Sequence, residues 1–300
     1  MRFLNPRTDF AFKKIFGSAE SSDILLSFLN AVLGLQSPHR IAEVTILDPY
    51  LAPRIVGMKD TYVDVQAVDE TGRRYIIEMQ VLNVVGFEQR VLYNACKTYA
   101  GQIASGDDYR LLTDVIALTI TDFVMFPGQT SVVNKFKLRA DDGAIYSNDL
   151  ELVFAELPKF TKAESELVDT RDKWLYFLKC AEDLALIPET LNREPSIQHA
   201  FNIANRAGLT KEEEDAQTRR EIFIQDQRGA LEKAAMDGHA KGESMGHAIG
   251  HAKGKAEGRA EGEHAASLRI ARSLLAMLDD AAIAATTGLD VVEVTALRGR

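Results

Sequence analysis

Residues 60–82 read DTYVDVQAVDETGRRYIIEMQVL, and this stretch decides the fold. Two alternating apolar and polar runs flank DETGR, and a period of two marks half-buried strands joined by a turn. A β-hairpin is predicted. With Glu70, Thr71 and Gly72 as a three-residue loop, and Gly72 left-handed, Asp69 pairs with Arg73 and Asp64 falls opposite Glu78. Val63, Val65 and Ala67 then share one face of the first strand, with Tyr62, Asp64 and Gln66 on the other. On the second strand Tyr75, Ile77, Met79 and Val81 oppose Arg74, Ile76, Glu78 and Gln80. A slip of one residue mixes these faces.

Directly opposed Cβ atoms lie about 4.5–5.5 Å apart, so two carboxylates in that relation repel. A solvated outer face tolerates such a pair. A divalent cation held by both offsets the repulsion, since hard cations such as Mg²⁺ take oxygen ligands and often use only one or two carboxylates. Gln80 stands on the same face as Glu78, two residues on, which gives D-x13-E-x-Q.

That constellation resembles the PD-(D/E)XK nuclease superfamily, whose core hairpin carries an Asp on one strand and (Asp/Glu)-x-Lys on the next, with Gln here in place of Lys. The wider series is more specific. TDFAFKKIFG at 8–17, Asp64-Val65, Gly72-x4-IEMQ, Arg90-x2-Tyr93 and Gly106-x2-Tyr109 look like the Rpn group of recombination-promoting nucleases and transposase-related proteins. The resemblance covers roughly residues 5 to 180, and the glycine-rich tail is also a feature of the group. It implies an α/β restriction-endonuclease-like core, a mixed central sheet flanked by helices, with a helical C-terminal extension. It further implies a Mg²⁺-dependent DNA endonuclease linked to recombination or transposition. Asp64, Glu78 and Gln80 would be catalytic, and Asp64, Glu78, the Met79 carbonyl and Asp9 would hold the metal. Lys13, Arg90 and Tyr93 are candidates for contact with phosphate or DNA.

A net charge of −9 argues against a non-specific nucleic-acid coat, because phosphate binding depends on Lys and Arg. A local basic rim is compatible with that charge, and Arg2, Arg7, Lys13, Lys14, Arg73, Arg74, Arg90 and Lys97 all fall early in the chain. The apolar run near Val115–Phe126 is too short and too polar to span a bilayer, and no secretory signal is predicted. Cys96 and Cys180 lack ligand-like spacing, which fits a reducing cytoplasm.

Along the chain, a helix is expected over residues 5–17, with Asp9 either its cap or a metal ligand, and Lys13 one turn later. ILLSFLNAVLGL is a core helix, and Ile41–Leu47 a strand. Asp60 shares the strand parity of Asp64. Phe87–Ala104 has helical periodicity, placing Gln89 and Tyr93 on one face and leaving Arg90 to meet a phosphate or Glu88. DVIALTITDF is a strand buried on both faces. A second hairpin joins Lys135–Arg139 to Leu150–Glu156, and Trp174 belongs to a packing helix.

The expected organisation is a nuclease-like domain over 1–205, a helical glycine-repeat segment over 206–265 and a small helix-turn-helix-like module over 266–300. Glycines recur every fourth residue from Gly238 to Gly262. Each costs about 1 kcal/mol in a helix relative to Ala, so the segment is either a flexible linker or a helix that packs closely against another. The helix is favoured, with homo-oligomerisation through it. His247 and His251 lack a third ligand. GHAKGK at 250–255 lacks the spacing and the hydroxyl of a P-loop. In the last module Val291, Val292, Val294 and Leu297 point to packing rather than DNA reading, with Arg298 and Arg300 as its only late basic residues. The alternative function is a non-catalytic oligomeric interaction protein organised by the tail.

Overall fold

The computed structural model describes residues 3–51, 59 and 61–299. Arg2, Asp60 and Arg300, each weighed above, lie outside them. By contacts the chain forms two units, Met1–Arg228 and Gly229–Arg300.

In the first unit α1 (Asp9–Phe16) and α2 (Ser22–Leu33) precede β1 (Val44–Leu47), β2 (Tyr50–Leu51), β3 (Thr61–Tyr62), β4 (Val65–Asp69) and β5 (Arg74–Gln80). Then come α3 (Phe87–Ala100), β6 (Val115–Thr121), β7 (Val133–Arg139), β8 (Ile145–Glu156), α4 (Thr170–Cys180), α5 (Glu189–Asn192), α6 (Pro195–Ile203) and the start of α7 (Lys211–Leu274). Six strands make one mixed sheet in the order β1-β4-β5-β6-β8-β7, and β2 and β3 pair separately. The β5-β6-β8 centre is parallel, with antiparallel partners on both flanks. Every residue of β6 is buried, Thr119 and Thr121 included, as expected of a central strand covered on both faces. The second hairpin forms as β7 and β8.

The first hairpin has the expected register. Val65 faces Ile77 and Val68 faces Arg74, and the Asp69 N–H donates to the Arg73 carbonyl at 3.0 Å. Gly72 has φ +84, the left-handed value its turn demands. Asp69 secures the turn: it accepts from the N–H groups of Thr71 and Arg73, the Thr71 hydroxyl and, at 2.8 Å, the Tyr75 hydroxyl.

One face of the sheet packs under α1, α2, α4 and α6, with Val65, Ala67, Tyr75, Ile77 and Met79 joining Phe12, Phe16, Phe28 and Trp174. The opposite face lies under α3, where Ile76 meets Ala95 and Phe154 meets Phe87 and Val91. Val63 belongs to this second cluster and not with Val65, contrary to the expected alternation. The chain bends at Asp64, between β3 and β4, and the bend resets the parity.

In the second unit the glycine repeat lies within α7, and it continues to Leu274. A Cβ built on any glycine from Gly238 to Gly262 meets nothing within 4 Å among the described residues. After α7 come α8 (Asp280–Thr287) and α9 (Val291–Arg298). Val294 and Ile283 are buried with Ala271 and Leu289. Asp290 caps α9 as expected, and Arg298 is tied to Asp280 and to the carbonyls of Leu275 and Leu278. Packing therefore occupies this module, and its late arginine is engaged internally.

Candidate active site

At the open end of the hairpin lies a cavity of about 260 Å³, walled by Asp64 from the bend before β4, Glu78 and Gln80 from β5, Asp9 and Lys13 from α1, and Arg90 from α3. The hairpin register brings the two carboxylates to this common space, with side-chain exposures of only 14% and 11%. Each is then held by a different helix.

Asp64 turns toward α1. One of its oxygens accepts from the Met79 N–H at 2.8 Å, and the other lies 3.5 Å from Lys13 Nζ. Its carboxyl also hydrogen-bonds Asp9. Burial, reinforced by that neighbouring acid, pushes Asp64 up to about 8 against the pull of the Met79 N–H and the Lys13 charge. Burial opposes ionisation of Asp9 too, but the Asp64 hydrogen bond and the charges of Lys13 and Arg220 hold it below the usual range. The two acids share that hydrogen bond, and the raised value favours a proton held between them. Lys13 binds Asp9 at 2.8 Å, and although burial opposes its charge, the two acids raise its pKa.

Asp9 is not the helix cap. Thr8 caps α1 by accepting from the Ala11 N–H, which leaves the Asp9 carboxyl beside the cavity.

Glu78 turns toward α3. The Asn94 amide donates to it at 2.7 Å, and Arg90 lies 3.7 Å away. Burial raises its pKa, partly offset by Asn94, Arg90 and Lys13. Gln80 has both ends engaged: its amide nitrogen donates to the Leu82 carbonyl at 2.7 Å, and its oxygen accepts from Arg90 at 2.6 Å. Arg90 therefore meets Gln80 and Glu78 rather than Glu88, and its guanidinium lies over the Phe87 ring at 5.3 Å. Tyr93, one turn on, donates to the Lys59 carbonyl at 3.4 Å and is not part of the cavity wall.

Of the early basic residues described, only Lys13 and Arg90 wall the cavity. Arg7 pairs with Asp122 and Glu182, Lys14 with Glu213, Arg73 with Asp114, and Lys97 donates to the Lys59 carbonyl. Sequence reasoning missed Asn94 and, from far along the chain, Arg220 and Phe223 of α7. The apolar run Ile222-Phe223-Ile224 inside an otherwise charged stretch marks a packed turn of α7 without showing what it packs against.

Among the described residues no three His, Cys, Asp or Glu side chains gather as a metal-holding group. The donor set that remains, two buried carboxylates and the Met79 carbonyl, is all oxygen and fits a hard divalent cation.

A mixed α/β sheet with acids from adjacent strands of a hairpin, helix-backed on both faces, defines the PD-(D/E)XK class of nucleases. The model of the PD-(D/E)XK nuclease family transposases matches residues 6–234, and the chain belongs to that family, in keeping with its Rpn-like motifs. No curated protein and no solved structure matches it significantly. Members of such families generally use divalent cations and act on DNA. No described helix is long and apolar enough to cross a membrane.

Proposed function

We propose that this protein is a divalent-cation-dependent DNA endonuclease that hydrolyses phosphodiester bonds, with Mg²⁺ as the expected ion and DNA rearrangement as its setting. The observation that carries the reading is the convergence of Asp64 and Glu78 on one cavity flanked by Lys13 and Arg90. Asp64, Glu78 and the Met79 carbonyl would hold the ion. When bound, it supplies Lewis-acid stabilisation of the phosphate and a more acidic water.

The remaining work falls to the side chains. Asp64 must release its proton to bind a cation, and the Met79 N–H holds its carboxylate in place once it does. Gln80 carries no charge and cannot act as a base; its part is to fix Arg90. Arg90 then supplies the positive charge that the motif lysine supplies in relatives, opposite the developing charge on the phosphate. Lys13 supplies a second charge from the α1 side. Water adds to phosphorus as the bond to the leaving oxygen breaks, leaving a phosphate monoester and a hydroxyl. The free thiols Cys96 and Cys180 accord with action in a reducing cytoplasm.

Self-association through α7 is the second part of the proposal. Its glycine row has open space around it, and Leu231, Met236, Met245 and Ile249 are exposed on the same helix. Close helix pairing would give both a partner.

The test is conversion of supercoiled plasmid by the full chain with Mg²⁺ or Mn²⁺, compared with Asp64→Asn. Metal-dependent nicking lost in the variant supports the nuclease. Wild-type protein that never cuts under any divalent cation leaves the oligomeric interaction protein as the better reading.

A further inference from the structure

The cavity has a wall that the hairpin does not explain. The first turns of α7 close it with Arg220, Phe223 and Ile224. Ile224 is buried and anchors the wall, whereas the Phe223 ring is 47% exposed with the Arg220 guanidinium 5.2 Å from its centroid. On the β3 side of the same cavity stands Tyr62, 66% exposed and backed by Tyr50 at 4.9 Å between ring centroids.

The α7 wall is fixed. Thr8 donates to Gln217 at 3.0 Å in a buried contact, Lys14 pairs with Glu213, and Arg206 with Glu221. Farther along, Arg228 meets Asp122 at 2.5 Å. Among the described residues neither Tyr62 nor Phe223 belongs to a buried cluster, and the only ring–ring contact of either is that of Tyr62 with Tyr50.

The geometry points to an unpaired nucleotide as the occupant of this cavity. Phe223 and Tyr62 would stack its base or that of its neighbour, and Arg220 would take an adjacent phosphate. This rests on the nuclease reading and narrows its substrate class to DNA with unpaired bases at the scissile position: single strands, bubbles, flaps or a base swung out of the duplex. Three features favour it over intact duplex. The carboxylates lie deep, so the phosphate has to be brought in to them. A space of about 260 Å³ is close to the roughly 300–1,000 Å³ of small-molecule pockets and admits a nucleotide, not a double helix. Exposed aromatics beside arginines are also how single strands are held, at about 1–3 kcal/mol per stacked base.

The experiment measures fluorescence anisotropy of the full chain in EDTA with three probes of one sequence: duplex DNA, the same duplex with a five-nucleotide bubble, and the single strand. Tighter binding of the bubble and single strand is expected. Phe223→Ala should weaken those two by about 5- to 150-fold and the duplex by less than about twofold, with Phe223→Trp restoring affinity. Arg220→Ala should weaken binding and lower its salt dependence by roughly one counterion. A melting curve for each variant checks folding. Equal affinity for all three probes, or an equal loss on all three in Phe223→Ala, overturns the inference. Cleavage of the same probes in Mg²⁺ is scored separately. A protein that cuts paired and unpaired DNA alike keeps the nuclease reading and loses this one. A protein that never cuts, yet binds unpaired DNA through Phe223, does the reverse.

Discussion

The carboxylate of Asp64 accepts a hydrogen bond from the backbone N–H of Met79 at 2.8 Å, across the open end of the hairpin. The bond aims the acid at the cavity and ties the two strands beyond their last paired residues. In Asp64→Asn the side-chain oxygen still accepts that N–H and the amide NH₂ still has Asp9 to donate to, without the charge that ionised Asp64 sets against Asp9 above about pH 8. Cleavage should fall at least roughly a thousandfold, because loss of several kcal/mol of charge stabilisation costs tenfold per 1.36 kcal/mol. The melting temperature in EDTA at pH 8–9 should not fall, and a rise of a few degrees is expected. A folded Asp64→Asn protein that cuts as well as wild type removes this residue from the mechanism.

The same group sets a pH dependence. In the unfolded chain Asp64 has an ordinary value near 3.8; in the folded protein burial and Asp9 lift it to about 8. A raised pKa means that its contribution to stability is complete below the unfolded value and is lost as pH rises through about 8. Metal-free protein should therefore lose stability progressively between about pH 4 and pH 8, levelling off above that, by a component that is absent from Asp64→Asn. Cation binding runs the other way, gaining affinity up to about pH 8 with release of a proton. Asp9→Asn removes the second cause of the shift and should move both midpoints down. Calorimetry in buffers of different ionisation enthalpy measures the proton released.

How much of this was legible in the sequence depends on the range of the interaction. The hairpin register followed from strict alternation and from Gly72, both local, and the buried centre of the sheet followed from the composition of β6 alone. The face of Val63 did not, because a bend at Asp64 interrupts the period on which the assignment rested. Asp9 was visible as an acid at the start of α1, but Thr8 takes the cap, a choice between adjacent residues that propensity does not resolve. Arg90 was visible too, yet its partner is Gln80, on another element, rather than its neighbour Glu88. Arg220 and Phe223 were invisible for a stronger reason: only the docking of α7 on α1, through Gln217 and Thr8, brings them to the hairpin.

Gln80 and Arg90 make a testable exchange of charge. Arg90→Ala should lower cleavage by about 10²- to 10³-fold, as loss of a single charge-stabilising group does. Gln80→Ala should cost less, since Arg90 keeps its place over Phe87 and beside Glu78. In the double variant Gln80→Lys/Arg90→Ala, a lysine at the motif position replaces the lost cation, and part of the activity should return. Single-turnover rates at saturating metal measure this. A double variant no better than Arg90→Ala refutes the equivalence.

The turn at Asp69 predicts a stability effect separate from catalysis. Its carboxylate serves two backbone N–H groups and the Thr71 and Tyr75 hydroxyls, the last of them buried. Burial and this carboxylate together raise the Tyr75 phenol, so the hydroxyl stays protonated and keeps donating. Asp69→Ala strands these donors at about 1–3 kcal/mol for each one left unsatisfied. A fall in melting temperature on the order of 10 °C is expected, at about 2–4 °C per kcal/mol for a unit of this size. Tyr75→Phe should cost far less, because it removes a donor and leaves the turn intact.

The glycine row of α7 separates two effects that usually oppose each other. Replacing Gly242, Gly246 and Gly250 by Ala should stabilise the helix by about 1 kcal/mol each, since the added Cβ atoms meet nothing within 4 Å among the described residues. If another copy of this helix packs on that face, the same methyl groups hold the two backbones apart and weaken the pair. The expected result is therefore higher helicity by circular dichroism together with a lower mass by sedimentation equilibrium, and unchanged cleavage per subunit. Higher helicity with unchanged mass would place the contact between copies elsewhere on the helix, and Met245 and Ile249 would be the next residues to change.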